Sequence, residues 1–176
     1  MHGENLEIEI KIRLSVEIKE IEERILREGF FVESDFCKEE NIFFDRDNYL
    51  KKRGFALRLR SYGNRNTLTL KGKSKEKRIK ERKEWEVKLS SKEEMEEILN
   101  ILGFKVILRY TKERKIFKNS ENTIITIDKT PFGNFLEIEG KRNKIEDLVE
   151  KLNLNSEEVE EKNYLELYRN YFGQKK

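Results

Sequence analysis

A single histidine, a single cysteine and a single proline stand among the 176 residues of this chain, and each scarcity closes a class of chemistry. With only His2 and Cys37 to supply nitrogen and sulfur, a zinc site of the usual ligands is not available, nor is a Ser-His-Asp or Cys-His catalytic group. One cysteine excludes an internal disulfide and fits a reducing compartment. No Gly-x-x-x-x-Gly-Lys-Ser/Thr loop is present, so a phosphate would be held without the cradle of a helix N-terminus. No apolar run approaches the roughly 20 residues that cross a bilayer, and the N-terminus lacks the apolar core of a signal peptide. The expectation is a soluble, cytoplasmic protein without a membrane partner. Net charge is nearly absent too: 38 basic residues against 35 acidic ones leave +3, so no overall polycation draws a nucleic acid.

What is abundant is charge of both signs, 41% of the chain, and it is patterned. Glu7, Glu9 and Lys11 alternate with Leu6, Ile8, Ile10 and Ile12, the period of two that marks a strand with one apolar face. The alternation returns around Arg58 and Arg60, around Thr69 and Lys71, and through Arg82, Glu84, Glu86 and Lys88. It returns again at Lys112 and Arg114, at Thr126 and Asp128, and at Glu137 and Glu139. The charges sort into acidic strands and Arg- or Lys-bearing strands, which chance exposure to water would not produce. The surplus of Lys and Glu, with little Cys or Met, is also the composition of a thermophile's surface.

The length suits one domain, residues 1–176, with a core of its own. An internal repeat divides it. Glu7–Ser15 precedes a helix carrying Ile18, Ile21 and Ile25 that stops at Gly29-Phe30, with Ser15 placed as N-cap. Glu84–Ser90 precedes a helix carrying Met95, Ile98, Leu99 and Leu102 that stops at Gly103-Phe104, with Ser91 and Glu94 as a capping box. The halves run over about 5–73 and 80–141. Three further strands follow each helix, near Val32–Asp45, Phe55–Ser61 and Asn66–Lys73, then near Lys105–Phe117, Asn122–Lys129 and Asn134–Lys141. Helices near Ile145–Leu152 and Val159–Phe172 end the chain, within 143–172. The fold class is α+β dominated by antiparallel β, and eight such strands are enough to close into a barrel. Amphipathic helices need an apolar surface, and only the apolar face of the sheet supplies it, so the helices belong outside and the charges inside. An interior of ions must be wet, or filled by a ligand and metal that complement both signs. A metal-bound polyanion suits it: Arg and Lys hold phosphate oxygens, and carboxylates hold a hard divalent cation.

Glu7-x-Glu9-x-Lys11, Phe43-Phe44-Asp45, Ala56-Leu57-Arg58-Leu59-Arg60, Leu68-Thr69-Leu70-Lys71-Gly72, Arg82-x-Glu84-x-Glu86, Lys112-x-Arg114, Asp128 and Gly133-x-Phe135-x-Glu137-x-Glu139 together resemble the ordered motifs of the CYTH superfamily, the triphosphate tunnel metalloenzymes. Leu102–Phe104 followed by Lys112-x-Arg114 is most similar to its class IV adenylyl cyclase branch. The resemblance implies an eight-stranded tunnel that takes a triphosphate, ATP or a polyphosphate, with Mg2+ or Mn2+ as cofactor. It implies that Glu7, Glu9, Asp128, Glu137 and Glu139 face the metal, with Glu84 and Glu86 as further candidates. Lys11, Arg58, Arg60, Lys71, Arg82, Lys112, Arg114 and the C-terminal Lys162 would hold phosphates. Lys71, Glu9 and Arg114 would act in catalysis.

Two reactions share such a clamp. In a cyclase the ribose 3′-hydroxyl attacks the α-phosphorus; in a triphosphatase water attacks the terminal one. Phe43 and Phe44 lack the hydroxyl of the Tyr that thiamine triphosphatases of this family are thought to use, which counts against that route. Eight basic residues in Lys71–Lys83 read as a solvated hairpin near a tunnel mouth or as a contact for an RNA 5′ end. A polyphosphate-binding module without catalysis is the remaining alternative, and the chain is a monomer or a homodimer.

Overall fold

The structure, a computed structural model, describes residues 6–74, 76–154 and 158–173. Its strands are β1 (Leu6–Arg13), β2 (Phe31–Asp45), β3 (Ala56–Tyr62), β4 (Arg65–Lys71), β5 (Ile79–Leu89), β6 (Lys105–Lys118), β7 (Ile124–Thr130) and β8 (Gly133–Glu139). They form a closed antiparallel barrel in the order β1-β5-β4-β3-β2-β6-β7-β8. β1 completes the ring, with Glu9 opposite Lys80 on one side and opposite Glu139 on the other. Five helices accompany the strands: α1 (Ile18–Arg27), α2 (Tyr49–Lys52), α3 (Lys92–Ile101), α4 (Arg142–Lys151) and α5 (Tyr164–Gly173). None is long and apolar enough to cross a membrane among the described residues.

Most of the strands' apolar residues face outward and are covered by helices, although Trp85 and Val87 of β5 stay exposed. Ile21 and Ile25 of α1, one turn apart, join Ile145 and Leu148 of α4 over Ile10 and Ile12 of β1, Ile125 of β7 and Ile138 of β8. On the other flank Leu99 of α3 seals Ile42, Phe44, Leu57 and Leu59. Burying each such side chain contributes about 1.5–3 kcal/mol, so the barrel is held from outside as a core is ordinarily held from within. Gly29 and Gly103 turn the chain out of α1 and α3 at φ of +81° and +86°, a left-handed exit that favours glycine.

The helix ends divide. Ser91 caps α3, its Oγ accepting from the Glu94 N–H at 3.1 Å. Ser15 does not cap α1: the N-cap is Glu17, and the Ser15 hydroxyl donates to Glu158 instead. Val159 is not helical either. It bridges Ile12 as an extended strap, and α5 begins only at Tyr164. α5 then lies across one end of the barrel, packing Tyr164, Leu167 and Tyr168 on the inward-facing Phe43, Tyr110 and Phe135. Asp45 of the Phe-Phe-Asp motif is structural, its carboxylate accepting from the N–H groups of Arg46, Leu50 and Lys51 to hold α2.

Because the helices carry the apolar contacts, Ile25→Ala is expected to lower unfolding free energy by about 2–5 kcal/mol in a urea titration. A loss below about 0.5 kcal/mol, the size of a surface change, would contradict this packing.

Candidate active site

Alternation along eight strands sends the charged residues into the barrel, and closure brings them within reach of one another. The densest group surrounds Asp128 of β7, which is fully buried. Arg114 of β6 holds it with two bonds of 2.6 Å, Lys112 adds one of 2.8 Å, and the Tyr164 hydroxyl of α5 donates to it at 2.6 Å. The ring of Tyr164 meanwhile carries the ammonium groups of Lys11 and Lys112 at 3.7 and 4.0 Å from its centre. Arg114 also reaches Glu137 at 2.6 Å, with Lys11 3.4 Å from the same carboxylate.

Glu39 of β2 lies on the other side of this cationic group, 3.4 Å from Lys112, 3.6 Å from Arg114 and 3.8 Å from Arg60. Burial alone would raise its pKa, but Arg114, Lys112 and Arg60 outweigh burial and hold it well below the usual carboxylate range. Glu137 behaves alike: burial opposes ionisation, while Lys11 and Arg114 enforce it.

A second network runs over β1, β4 and β5. Glu7 accepts from Lys71 and from Arg82, each at 2.7 Å; Arg82 reaches on to Glu9 at 2.6 Å, and Lys71 lies 2.7 Å from Glu84. Arg60 and Thr69 both donate to Glu86, at 2.9 and 2.8 Å.

Three groups break the pairing. Arg58 Nε and Lys80 Nζ are buried with no hydrogen-bond partner among the described residues. Burial pulls the Lys80 ammonium down to about 8, and Lys11 beside it pulls the same way. Glu139 is reached by solvent yet crowded by protein; enclosure, then the nearby Glu7 and Glu9, push its carboxyl up to about 7. The interior thus has anion-seeking cations and a carboxylate corner short of positive charge.

The candidates from sequence therefore separate by geometry. Lys11, Arg58, Arg60, Lys71, Arg82, Lys112, Arg114, Glu7, Glu9, Glu84, Glu86, Asp128, Glu137 and Glu139 lie on the inward faces of the strands. Lys162 does not join them: its side chain is exposed, and only its carbonyl enters the site, accepting from Lys11 at 3.3 Å. Asp128 and Glu137 are held by Arg114 with Lys112 or Lys11, and Glu7 and Glu9 by Lys71 and Arg82, so of the expected metal-facing set it is Glu139 that carries no cation among the described residues, with Glu7 and Glu9 beside it at that corner. No three acidic side chains among the described residues converge closely enough to hold an ion as they stand. The corner nonetheless fits a hard divalent cation in charge and donor type.

Glu39, Asn41, Lys80, Tyr110 and Tyr164 are interior residues that the motifs passed over. Glu39 stands among Lys38, Glu40 and Asn41, charged or polar on both faces, and register shifts along the β2–β6 pair blur the alternation. Counting back by twos from the inward Phe43 would have found it. Lys80 shares the parity of Arg82 but sits in the basic stretch read as a solvated hairpin. Lys71, Lys80 and Arg82 of that stretch belong instead to the interior.

The family model of the CYTH domain matches residues 5–166. A Methanocaldococcus jannaschii protein, provisionally named an adenylate cyclase, is 33% identical over an alignment covering 92% of this chain and 98% of that protein. A Vibrio parahaemolyticus structure with the same provisional name superimposes with a TM-score of 0.82 at 22% identity, covering 94% of this chain and 99% of that one. A Hippeastrum protein, named as an adenylyl cyclase candidate and described as having a dominant triphosphatase activity, superimposes at 0.68 with 19% identity, covering 93% and 95%. At those identities the two structures speak for the fold, and the match over most of the sequence speaks for the family: the chain belongs to the CYTH domain family.

Proposed function

We propose that this protein is a divalent-metal-dependent enzyme acting on a triphosphate, and that its reaction is the adenylyl cyclase one, ATP to cyclic AMP and pyrophosphate. The observation that carries the reading is the mismatch inside the barrel: buried Arg58 and Lys80 lack anionic partners while Glu139, beside Glu7 and Glu9, lacks a cation. A triphosphate with its metal complements both at once. The family is catalytic and binds triphosphates, and the M. jannaschii relative bears the cyclase name, which supports the narrower choice.

In this reading Arg58, Arg60, Lys11, Lys71, Arg82, Lys112 and Arg114 bind the phosphates and spread the charge that builds up as the bond to the leaving group lengthens. Lys71 and Arg114, already fixed by carboxylates, are oriented before substrate arrives, and Glu9 orients Arg82 while facing the metal corner. Mg2+ or Mn2+ held by Glu7, Glu9 and Glu139 would neutralise phosphate oxygens. The 3′-oxygen forms its bond to the α-phosphorus, the bridge to the β-phosphate breaks, and the hydroxyl proton passes to a carboxylate or water.

One observation favours a triphosphatase instead. The aromatic end of the tunnel is filled by the chain's own Tyr164 and Tyr168, the latter stacked on Tyr110 at 3.8 Å between centres, which leaves those rings closed to an adenine. Phosphorus NMR of reactions with ATP and with tripolyphosphate, each with magnesium or manganese, separates the two. Cyclic AMP with pyrophosphate supports the cyclase; free phosphate from either substrate supports the hydrolase. Binding without turnover would leave a polyphosphate-binding module and overturn both.

Two further outcomes are expected. Glu139→Gln, at a carboxylate with no cation on it, should lower metal-dependent turnover by about a hundredfold with little loss of stability; Glu9→Gln should lower turnover alike but also cost stability, because Arg82 loses a charged acceptor; Arg60→Ala should mainly weaken triphosphate binding, by about tenfold. Unchanged steady-state kinetics in all three would refute the assignment. Glu139, with its folded pKa near 7 against a usual 4.5, holds a proton that the unfolded chain releases. Its contribution to stability is therefore full below about pH 4.5 and lost as the pH rises through about 7. Without divalent cations, wild type should lose melting temperature relative to Glu139→Gln between about pH 5 and pH 8, and magnesium should narrow the gap. Parallel pH profiles would contradict the assignment of this group.

A further inference from the structure

Lys80 stands on β5 opposite Glu9 of β1, 5% exposed, and its Nζ has no hydrogen-bond partner among the described residues. The carboxylates that act on it are engaged elsewhere. Glu9 accepts from Arg82 at 2.6 Å, and Glu137 accepts from Arg114 at 2.6 Å with Lys11 close by. Lys11, on the adjacent strand and 2% exposed, is partnered: it lies 3.3 Å from the carbonyl of Lys162, 3.4 Å from Glu137 and 3.7 Å over the centre of the Tyr164 ring. Two enclosed ammonium groups on neighbouring strands repel each other. A buried cation without an acceptor is costly, so Lys80, with a second ammonium beside it, needs something that the protein's own groups do not provide.

We propose that Lys80 is a further substrate-binding residue of the tunnel, its ammonium joining that of Lys11 to grip the non-bridging oxygens of one phosphate of the triphosphate. The inference rests on the triphosphate reading of the barrel and adds to it a residue outside the motifs that define the rest of the site. Each ammonium offers three donors, and a phosphate offers several oxygens in different directions, so one group can satisfy both lysines where a single carboxylate oxygen could not.

The test is calorimetric titration of tripolyphosphate, with magnesium present, into wild type, Lys80→Met and Lys80→Arg, alongside their melting temperatures without ligand. Lys80→Met should raise Kd by about tenfold or more, and Lys80→Arg should recover part of that loss. Without ligand, Lys80→Met should melt at or above the wild-type temperature, because the substitution removes an unpartnered buried charge. A Kd equal to wild type, or a Lys80→Met protein that melts several degrees lower or fails to fold, would overturn the proposal and make Lys80 a structural residue. Absence of binding to wild type would instead overturn the triphosphate reading beneath it.

Discussion

A charge taken out of water must find a charge of the other sign, and the interior of this barrel is organised by that requirement. Lys11, Glu39, Lys112 and Asp128 are all nearly inaccessible, and each has neighbours of opposite sign. Removing one member of such a group leaves its partner buried and uncompensated, which costs more than the pair contributes. The network is therefore cooperative in the sense that no carboxylate in it can be exchanged independently. The placement of the apolar core follows from it. With ions within, the fatty side chains of the strands have to be covered from outside, and α1, α3 and α4 are the covers.

The same requirement separates scaffold from site. Asp128, bound by Arg114, Lys112 and Tyr164, is complete without any ligand and acts as the pin that ties β6, β7 and α5 together. Arg58, Lys80 and Glu139 are the places where compensation fails. Incomplete compensation is unfavourable for the empty protein and favourable for whatever completes it, the usual relation between stability and preorganised binding. The saturated part of the barrel interior thus gives rigidity, and in the proposed reading the unsaturated part would select a ligand that carries both signs.

Much of this was legible from alternation alone. A period of two in Glu7–Lys11 and Glu137–Glu139, with Ile on the other parity, fixed which face each residue takes, and the amphipathic helices decided which face is inside. Closure into eight strands followed from their number. The failures have local causes. Ser15 has the chemistry of a cap but donates across to Glu158, a contact between segments far apart in sequence. Val159 was drawn into a helix by its neighbours, yet the pairing of its backbone with Ile12 outweighs that propensity. Glu39 was hidden by polar residues on both parities of β2, and Lys80 by the basic run around it. Lys162 was placed correctly in the chain but contributes its carbonyl and not its ammonium. Which carboxylates are spent on cations and which are free is a property of closure, and no strand taken singly carries it.

The most direct test of a tunnel that completes its charges with a metal-bound triphosphate is a crystal structure grown with Mn2+ and a non-hydrolysable ATP analogue, with anomalous scattering recorded to locate the manganese. The expected result is a manganese peak inside the barrel at Glu7, Glu9 and Glu139, with phosphate oxygens on Arg58 and Lys80. A manganese peak and analogue lying only on the outer surface, with the interior pairs undisturbed, would contradict it.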